Sequence, residues 1–315
     1  MLPATTLPLP SLQTAFPDRM QFDVPLARYT AALVGGAADA LLEVKTADEL
    51  ALAVEMLWAE DLPFTILGGG SNILVSDAGV RGVVLLNRAK KVRFALEDAT
   101  VWAESGANFG ALARQAATKS LSGLEWAAGI PGTVGGAVFG NAGAHDGDMA
   151  HNLIEAAVLD RLTGRQTWPV EKMQYEYRSS ALKENPGQTI ILSARLQLGH
   201  SPSEAIQAKM DTFLAHRHRT QPPGASMGSM FKNPPRDFAG RLIDAAGLKG
   251  TRVGGAEISR LHGNFFINVG NATASDVYNL LQLARQTVAE KFGVHLTLEI
   301  ELIGEWQDHR VHSDN

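Results

Sequence analysis

Two runs of glycine carry the first chemical signal in this sequence. The longer, Gly129-Ile130-Pro131-Gly132-Thr133-Val134-Gly135-Gly136-Ala137-Val138-Phe139-Gly140-Asn141-Ala142-Gly143-Ala144, is dense in glycine and has no charged side chain. Glycine lets the main chain take positive φ and lets another group approach its N–H donors, an arrangement suited to wrapping a phosphate. The shorter run, Leu67-Gly68-Gly69-Gly70-Ser71-Asn72-Ile73-Leu74, lies upstream and directly follows the apolar Phe64 to Leu67. One such cluster is more often a tight turn than a binding site. Two of them, each beside Ser or Asn, point to a single extended cofactor bearing phosphates. Neither run has the G-x-G-x-x-G spacing and no Walker lysine follows, which disfavours a Rossmann or P-loop domain.

Other chemistries are narrowed by what the chain lacks. It has no cysteine, which removes disulfides, thiol nucleophiles, iron–sulfur clusters and a cysteinyl flavin link. His216 and His218 are two apart on an expected helix and so point to different faces, and His262 has no partner at metal-ligand spacing. No catalytic metal is expected. A formal net charge of −5 argues against a nonspecific nucleic-acid surface. The apolar stretches are shorter than a membrane span of about 20 residues, and the N-terminus lacks a signal-peptide pattern, so a soluble cytoplasmic protein is expected.

The elements that must position the glycine runs follow from periodicity. At 315 residues, with 45% hydrophobic and 19% charged, the prior is about two globular domains. Residues 1–20, rich in Pro, Thr and Leu, read as a loosely ordered extension. A short strand is expected at Ala40 to Val44. A helix capped by Thr46, with Glu49 at its third position, should run to about Glu60. Phe64 to Leu67 is then a strand that delivers the chain into the first glycine run. Further strands are expected at Gly82 to Leu86, Thr100 to Glu104, Ile154 to Asp160 and Thr189 to Leu198, with a helix at Asn108 to Ser120. The polar connection after Leu198 is the expected domain boundary, with a helix to about His218 opening the second half. There, helices are expected at Phe238 to Ala246 and, with a serine cap, at Ser275 to Phe292, with strands at Asn264 to Val269 and His295 to Ile303.

Gly68-Gly69-Gly70-Ser71-Asn72, Gly129-Ile130-Pro131-Gly132-Thr133-Val134-Gly135-Gly136-Ala137, Tyr177-Arg178-Ser179-Ser180, Gly228-Ser229-Met230-Phe231-Lys232-Asn233-Pro234 and Leu298-Glu299-Ile300-Glu301-Leu302-Ile303-Gly304 occur in this order. Together they resemble the UDP-N-acetylenolpyruvoylglucosamine reductase family of bacterial peptidoglycan synthesis, over about residues 25 to 306. The resemblance implies an α+β fold: an FAD-binding domain of the vanillyl-alcohol-oxidase (PCMH) type at 21–203, in subdomains of about 21–88 and 89–203. A C-terminal α+β substrate-binding domain at 204–315 would follow. It implies non-covalent FAD and NADPH as co-substrate. The short connection after Leu198 matches the shorter type in the family, which lacks a tyrosine-bearing loop.

The resemblance also implies roles. FAD would be held by Leu67, Gly68, Gly69, Gly70, Ser71, Asn72 and Ile73 in the first run. In the second run it would be held by Ala128, Gly129, Ile130, Pro131, Gly132, Thr133, Gly135, Gly136, Asn141 and Gly143. Arg178 matches the arginine whose planar fork suits a substrate carboxylate, Ser229 the proton donor and Glu299 the catalytic glutamate. Outside the motif, Arg178 would read as a surface ion pair and Ser229 as part of a plain Gly-Ser turn. Glu299 and Glu301 are two apart on an expected strand, so periodicity does not choose between them. Lys232, Asn233 and His262 would contact substrate, and Arg219 would serve where relatives carry a lysine and this chain has Thr220. Two other readings use the same pockets: a sugar or alcohol oxidase on the same cofactor fold, and a UDP-sugar-binding module without chemistry.

Overall fold

The computed structural model describes residues 9–306. The expectation for residues 1–8 lies outside the described residues, but residues 9–20 depart from it. Here α1 (Pro10–Ala15) leads into β1 (Met20–Pro25), and Leu9, Leu12 and Phe16 are buried against the first helical layer. The apolar spacing of these three leucine and phenylalanine positions, not the prolines, decides the outcome. Proline is tolerated at the first turn of a helix.

The first sheet contains β1, β2 (Ala37–Val44), β3 (Phe64–Leu67) and β5 (Val80–Asn87), in the order β1-β2-β5-β3. Between β2 and β3 lies α2 (Ala47–Ala59), whose N-cap Thr46 accepts from Glu49 N–H as its sequence predicts. β5 reads as a nearly continuous apolar run because both faces are covered. Val83 and Leu85 face α2, while Val80, Val84 and Leu86 face a second cluster with Leu67 and Val75. β3 ends at Leu67 and the chain turns through the first glycine run into β4 (Ile73–Val75).

The second sheet has the order β9-β8-β10-β7-β6 and is antiparallel throughout. Its strands are β6 (Val92–Ala95), β7 (Thr100–Glu104), β8 (Leu153–Asp160), β9 (Gly164–Pro169) and β10 (Thr189–Gln197). The helices α3 (Phe109–Thr118) and α4 (Val134–Phe139) share its core, with Phe109 packed edge-on against Trp126 at 5.4 Å. The edge strands β6 and β9 escaped sequence reading because every second residue is exposed and none is fully buried, a pattern shared with loops.

After Gly199–Pro202 the long helix α5 (Ser203–Thr220) begins. It was expected to open the C-terminal half, but it packs on the second-sheet unit. Ile206 and Met210 form a cluster with Ala117 and Ala128, and Ser203 Oγ donates to Ala117 O at 2.9 Å. The third sheet follows, with order β11-β14-β13-β12 from β11 (Ala225–Ser229), β12 (Arg252–Val253), β13 (Ala256–Ile258) and β14 (Phe265–Asn268). Between β11 and β12 lies α6 (Ala239–Ala245), and α7 (Ala274–Phe292) covers the sheet.

The cap of α7 is Thr273, not the expected serine, with Asp276 completing a capping box. Ser275 instead joins Asp77: the carboxylate of Asp77 accepts from Ala274 N–H, Ser275 N–H and Ser275 Oγ at 2.6–2.8 Å. The expected closing strand shrinks to β15 (Glu301–Ile303), parallel to β4, because residues 294–298 run alongside Phe231 and Lys232 and form no ladder. Replacing Asp77 with Ala removes three hydrogen bonds from α7 and is expected to cost about 1 kcal/mol, the size of a lost helix cap. A urea midpoint that falls at unchanged m-value is the expected reading, and an unchanged midpoint contradicts it.

Candidate active site

The two glycine runs meet backbone to backbone. A Cβ on Gly69 would lie 2.8 Å from Gly132 Cα, one on Gly68 would lie 2.6 Å from Thr133 Oγ1, and Ser71 Oγ donates to Pro131 O at 3.3 Å. Only glycine permits that approach. The main-chain N–H groups of Gly69, Gly70, Ser71, Asn72, Gly132 and Thr133 form no hydrogen bond to the described residues. Unpaired donors lining a junction of this kind fit the phosphates of an FAD. Other amides of the second run are committed internally. Val134 N–H donates to Ala107 O, Gly135 N–H to Ser105 O, and Gly136 N–H to Thr133 Oγ1.

Asn141 and Gly143, expected at the cofactor, also make contacts within the protein. Asn141 is buried at φ 44°, its Oδ1 accepts from Ala150 N–H, and its Nδ2 donates to Glu176 O at 3.0 Å. Gly143 pairs with Asp148 in a short hairpin. Gly129 lies against α5, where an added Cβ would meet Arg217 Cδ at 2.9 Å. The Arg217 guanidinium is pushed down by burial and has no carboxylate partner among the described residues. Sequence reading passed it over as part of a polar helix end.

Arg178 is presented by a reversal of the chain. Glu176 N–H donates to Ser179 O and Ser179 N–H to Glu176 O, leaving Tyr177 and Arg178 at the tip, where Arg178 takes φ 57°. A left-handed arginine costs about 1–2 kcal/mol, so the turn is held by its surroundings. Tyr175 OH donates to Val138 O at 2.9 Å, Ser180 Oγ to Phe139 O at 2.6 Å, and Asn141 holds Glu176. Three bonds thus fix the arginine turn to α4 and the second glycine run.

Glu299 arrives from the far end of the chain. Its N–H donates to Met230 O at 2.9 Å, its carbonyl accepts from Asn72 Nδ2 at 3.0 Å, and Glu301 N–H donates to Asn72 O. Asn72 therefore joins the first glycine run to the segment that carries Glu299. The Arg178 Nε lies 2.9 Å from Glu299 Oε1, with the side chains 26% and 16% exposed. That N–H is not aimed at the oxygen, and Arg178 Nε is one of two buried side-chain polar atoms without a hydrogen bond among the described residues. Burial pushes the Glu299 carboxyl up, against the opposing pull of Arg178, Lys183 and Lys232.

The segment that carries Ser229 is joined to the Glu299 segment through backbone pairing: its neighbour Met230 accepts from Glu299 N–H, and Phe231 bridges Leu298. Ser229 belongs to a strand and not to a Gly-Ser turn. The register of β11 against β14 shifts between Ser226 and Ser229, with Gly228 at φ 79°, so a bulge re-aims the serine. The buried Asn264 holds this segment, accepting from Phe231 N–H and donating to Phe231 O while its own carbonyl accepts from Met230 N–H.

Lys232 is pushed down by burial and by Lys183, while Glu301, Glu299 and Glu176 act on it in the opposite sense. These residues therefore surround one charge cluster. Asn233 is exposed and its Oδ1 accepts from Ala239 N–H at the start of α6, which leaves its Nδ2 free of that bond. His262 stands apart: its Nδ1 accepts from Asn264 N–H, its ring meets Phe265 edge-on at 4.9 Å, and burial pushes it down. Arg219 is exposed at the end of α5, and Thr220 Oγ1 donates back to His216 O at 2.9 Å. Sequence reading also missed Lys183, whose Nζ lies 2.7 Å from Glu301 Oε1.

Comparison with known proteins agrees with this geometry. Residues 38–168 match the FAD binding domain family, and residues 219–303 match the UDP-N-acetylenolpyruvoylglucosamine reductase C-terminal domain. A UDP-N-acetylenolpyruvoylglucosamine reductase of Chloroflexus aggregans is 43% identical over 300 residues, covering 93% of this chain and 100% of the relative. One from Rubrobacter xylanophilus is 45% identical over 296 residues, covering 94% and 98%. The crystal structure of such a reductase from Thermus caldophilus superposes with a TM-score of 0.77 at 39% identity, covering 90% of this chain and 99% of that one.

The junction of the runs supplies a direct test of cofactor fit. In Gly69→Ala the new methyl group meets main chain at Gly132, so the runs must part. Flavin absorbance per chain is expected to fall about tenfold at limiting FAD, with circular dichroism unchanged. Full flavin occupancy in this variant contradicts the arrangement.

Proposed function

Because this chain belongs to the UDP-N-acetylenolpyruvoylglucosamine reductase family, we propose that it uses NADPH to reduce the enolpyruvyl ether of UDP-N-acetylglucosamine to UDP-N-acetylmuramate, in the cytoplasm, through residues 178, 229 and 299. The family membership carries the reaction: FAD-dependent reduction of the enolpyruvyl sugar nucleotide in peptidoglycan synthesis. The observation that supports the residue roles is the joining of Arg178 to Glu299, with the segment of Ser229 tied to Glu299 through the Met230 carbonyl.

When bound, FAD supplies the hydride carrier between NADPH and the methylene carbon of the enol ether. Hydride addition there leaves negative charge on the adjacent carbon, spread into the substrate carboxylate, and one proton must follow. The Arg178 guanidinium is the planar fork that receives this carboxylate. Glu299 is the group whose protonation decides the sign of its effect. Its raised carboxyl favours the neutral form, which can donate to the developing enolate, whereas the ionised form would repel it. Ser229 Oγ supplies the proton to the adjacent carbon, and its transient negative charge is balanced by the Arg178 and Lys232 cations. Lys232, Asn233 and His262 are the contacts to the sugar nucleotide, and Arg219 at the end of α5 serves its diphosphate.

The oxidase alternative predicts rapid reoxidation by oxygen without a pyridine nucleotide, and the binding-module alternative predicts colourless protein that retains nucleotide affinity. Yellow protein bleached anaerobically by NADPH and recoloured by the enolpyruvyl nucleotide sets both aside. In Ser229→Ala, flavin reduction by NADPH is expected to proceed almost normally. Reoxidation by substrate should slow by about 10²–10⁴-fold, because only that step consumes the proton. Equal slowing of both steps contradicts the proton-donor role. The reoxidation rate should also fall as pH climbs through the raised Glu299 value, since the neutral carboxyl is lost. That alkaline limb should vanish in Glu299→Gln, and its persistence there assigns it to another group.

A further inference from the structure

Two ion pairs join the same two segments of chain. Arg178 Nε meets Glu299 Oε1 at 2.9 Å, and Lys183 Nζ meets Glu301 Oε1 at 2.7 Å. We propose that Lys183 and Glu301 are positioning residues for the reduction: their pair locks the arginine-bearing loop to the glutamate-bearing strand and holds the Lys183 ammonium off Glu299. This inference rests on the reductase reading above.

The geometry around the second pair is that of a closed ring of contacts. Lys183 ends the single turn Ala181–Lys183, just past Ser180, whose hydroxyl donates to Phe139 O. Its Nζ lies 5.5 Å from the Phe139 ring centroid, so the lysine stem rests on the end of α4. Glu301 opens β15, and its N–H donates to Asn72 O in the first glycine run. The Lys183–Glu301 contact therefore completes a path from one glycine run to the other that passes both sides of Arg178. One pair alone would leave the two segments free to pivot about it. Two pairs at separate points fix their relative orientation.

The second pair also settles which cation Glu299 meets. Arg178, Lys183 and Lys232 act on Glu299, and Lys183, Glu301, Glu299 and Glu176 act on Lys232. With three cations around one buried carboxyl, the partner is set by which of them is already engaged. Glu301 engages Lys183, and of the two cations left, Arg178 is the one whose Nε lies 2.9 Å from Glu299 Oε1.

The test is stopped-flow kinetics on FAD-loaded protein, following flavin reduction by NADPH and reoxidation by the enolpyruvyl nucleotide across pH. Lys183→Met is expected to slow reoxidation about 10- to 100-fold while leaving reduction within about threefold. Lys183→Arg, which keeps the pair, should retain the rate within about threefold. The alkaline limb of reoxidation should move in opposite directions in the two deletions. It rises in Lys183→Met, where a cation favouring ionised Glu299 is gone. It falls in Glu301→Gln, where the released ammonium can approach Glu299. Variants with a lowered thermal midpoint but an unmoved limb and wild-type reoxidation would overturn the proposal and leave a plain structural pair. Wild-type protein that is not reoxidised by the nucleotide defeats the reductase reading itself, a result distinct from failure of the clamp.

Discussion

The half-buried pair of Arg178 and Glu299 is the constraint to which the surrounding structure answers. A guanidinium and a carboxyl taken out of water lose hydration that their contact restores only when both are held in place. Arg178 is also in a left-handed turn that arginine disfavours. Neither segment would adopt this geometry alone. The turn is tied to α4 by Tyr175, Ser180 and Asn141, and Glu299 is fixed through its main chain by Met230 and Asn72.

Those same ties connect the chemistry to the cofactor junction. Asn72 belongs to the first glycine run and holds Glu299, while α4 grows out of the second run and holds Arg178. Because the runs touch at Gly69 and Gly132, a shift in one glycine run is transmitted to both members of the ion pair. The segment after β11 meets the Glu299 segment in antiparallel pairing, Phe231 against Leu298, which brings the stretch carrying Ser229 to it. Asp77, a few residues beyond the first run, then anchors α7 and with it the rest of the C-terminal sheet.

Much of this was legible from residue pattern because each local signal had a local cause. The Thr46 cap, the strand Thr100–Glu104 and the strand leading into the first glycine run follow from caps and period-two apolarity that need no partner to be recognised. Reading failed where the deciding contact was distant. Leu12 and Phe16 order the N-terminal segment only because α2 and the first sheet lie beneath them. α5 packs on Ala117 and Ala128, a choice between neighbours that its own polar sequence does not encode. Ser275 has the right chemistry for a cap but lies inside the helix, where Asp77 claims it.

The sequence by itself pointed to glycine-rich main chain around a large phosphate-bearing cofactor, and only its resemblance to a known family singled out one arginine, one serine and one glutamate. Glycine's missing Cβ and the fixed chemistry of each side chain are properties of the residue, so they survive any arrangement in space. The resemblance had chosen Glu299 over Glu301 where periodicity did not, and tertiary structure decided that Glu299 meets Arg178, that Asn141 braces a turn, and that Lys183 joins the cluster. The reason is geometric: two glutamates two residues apart differ only in what the rest of the fold brings to them.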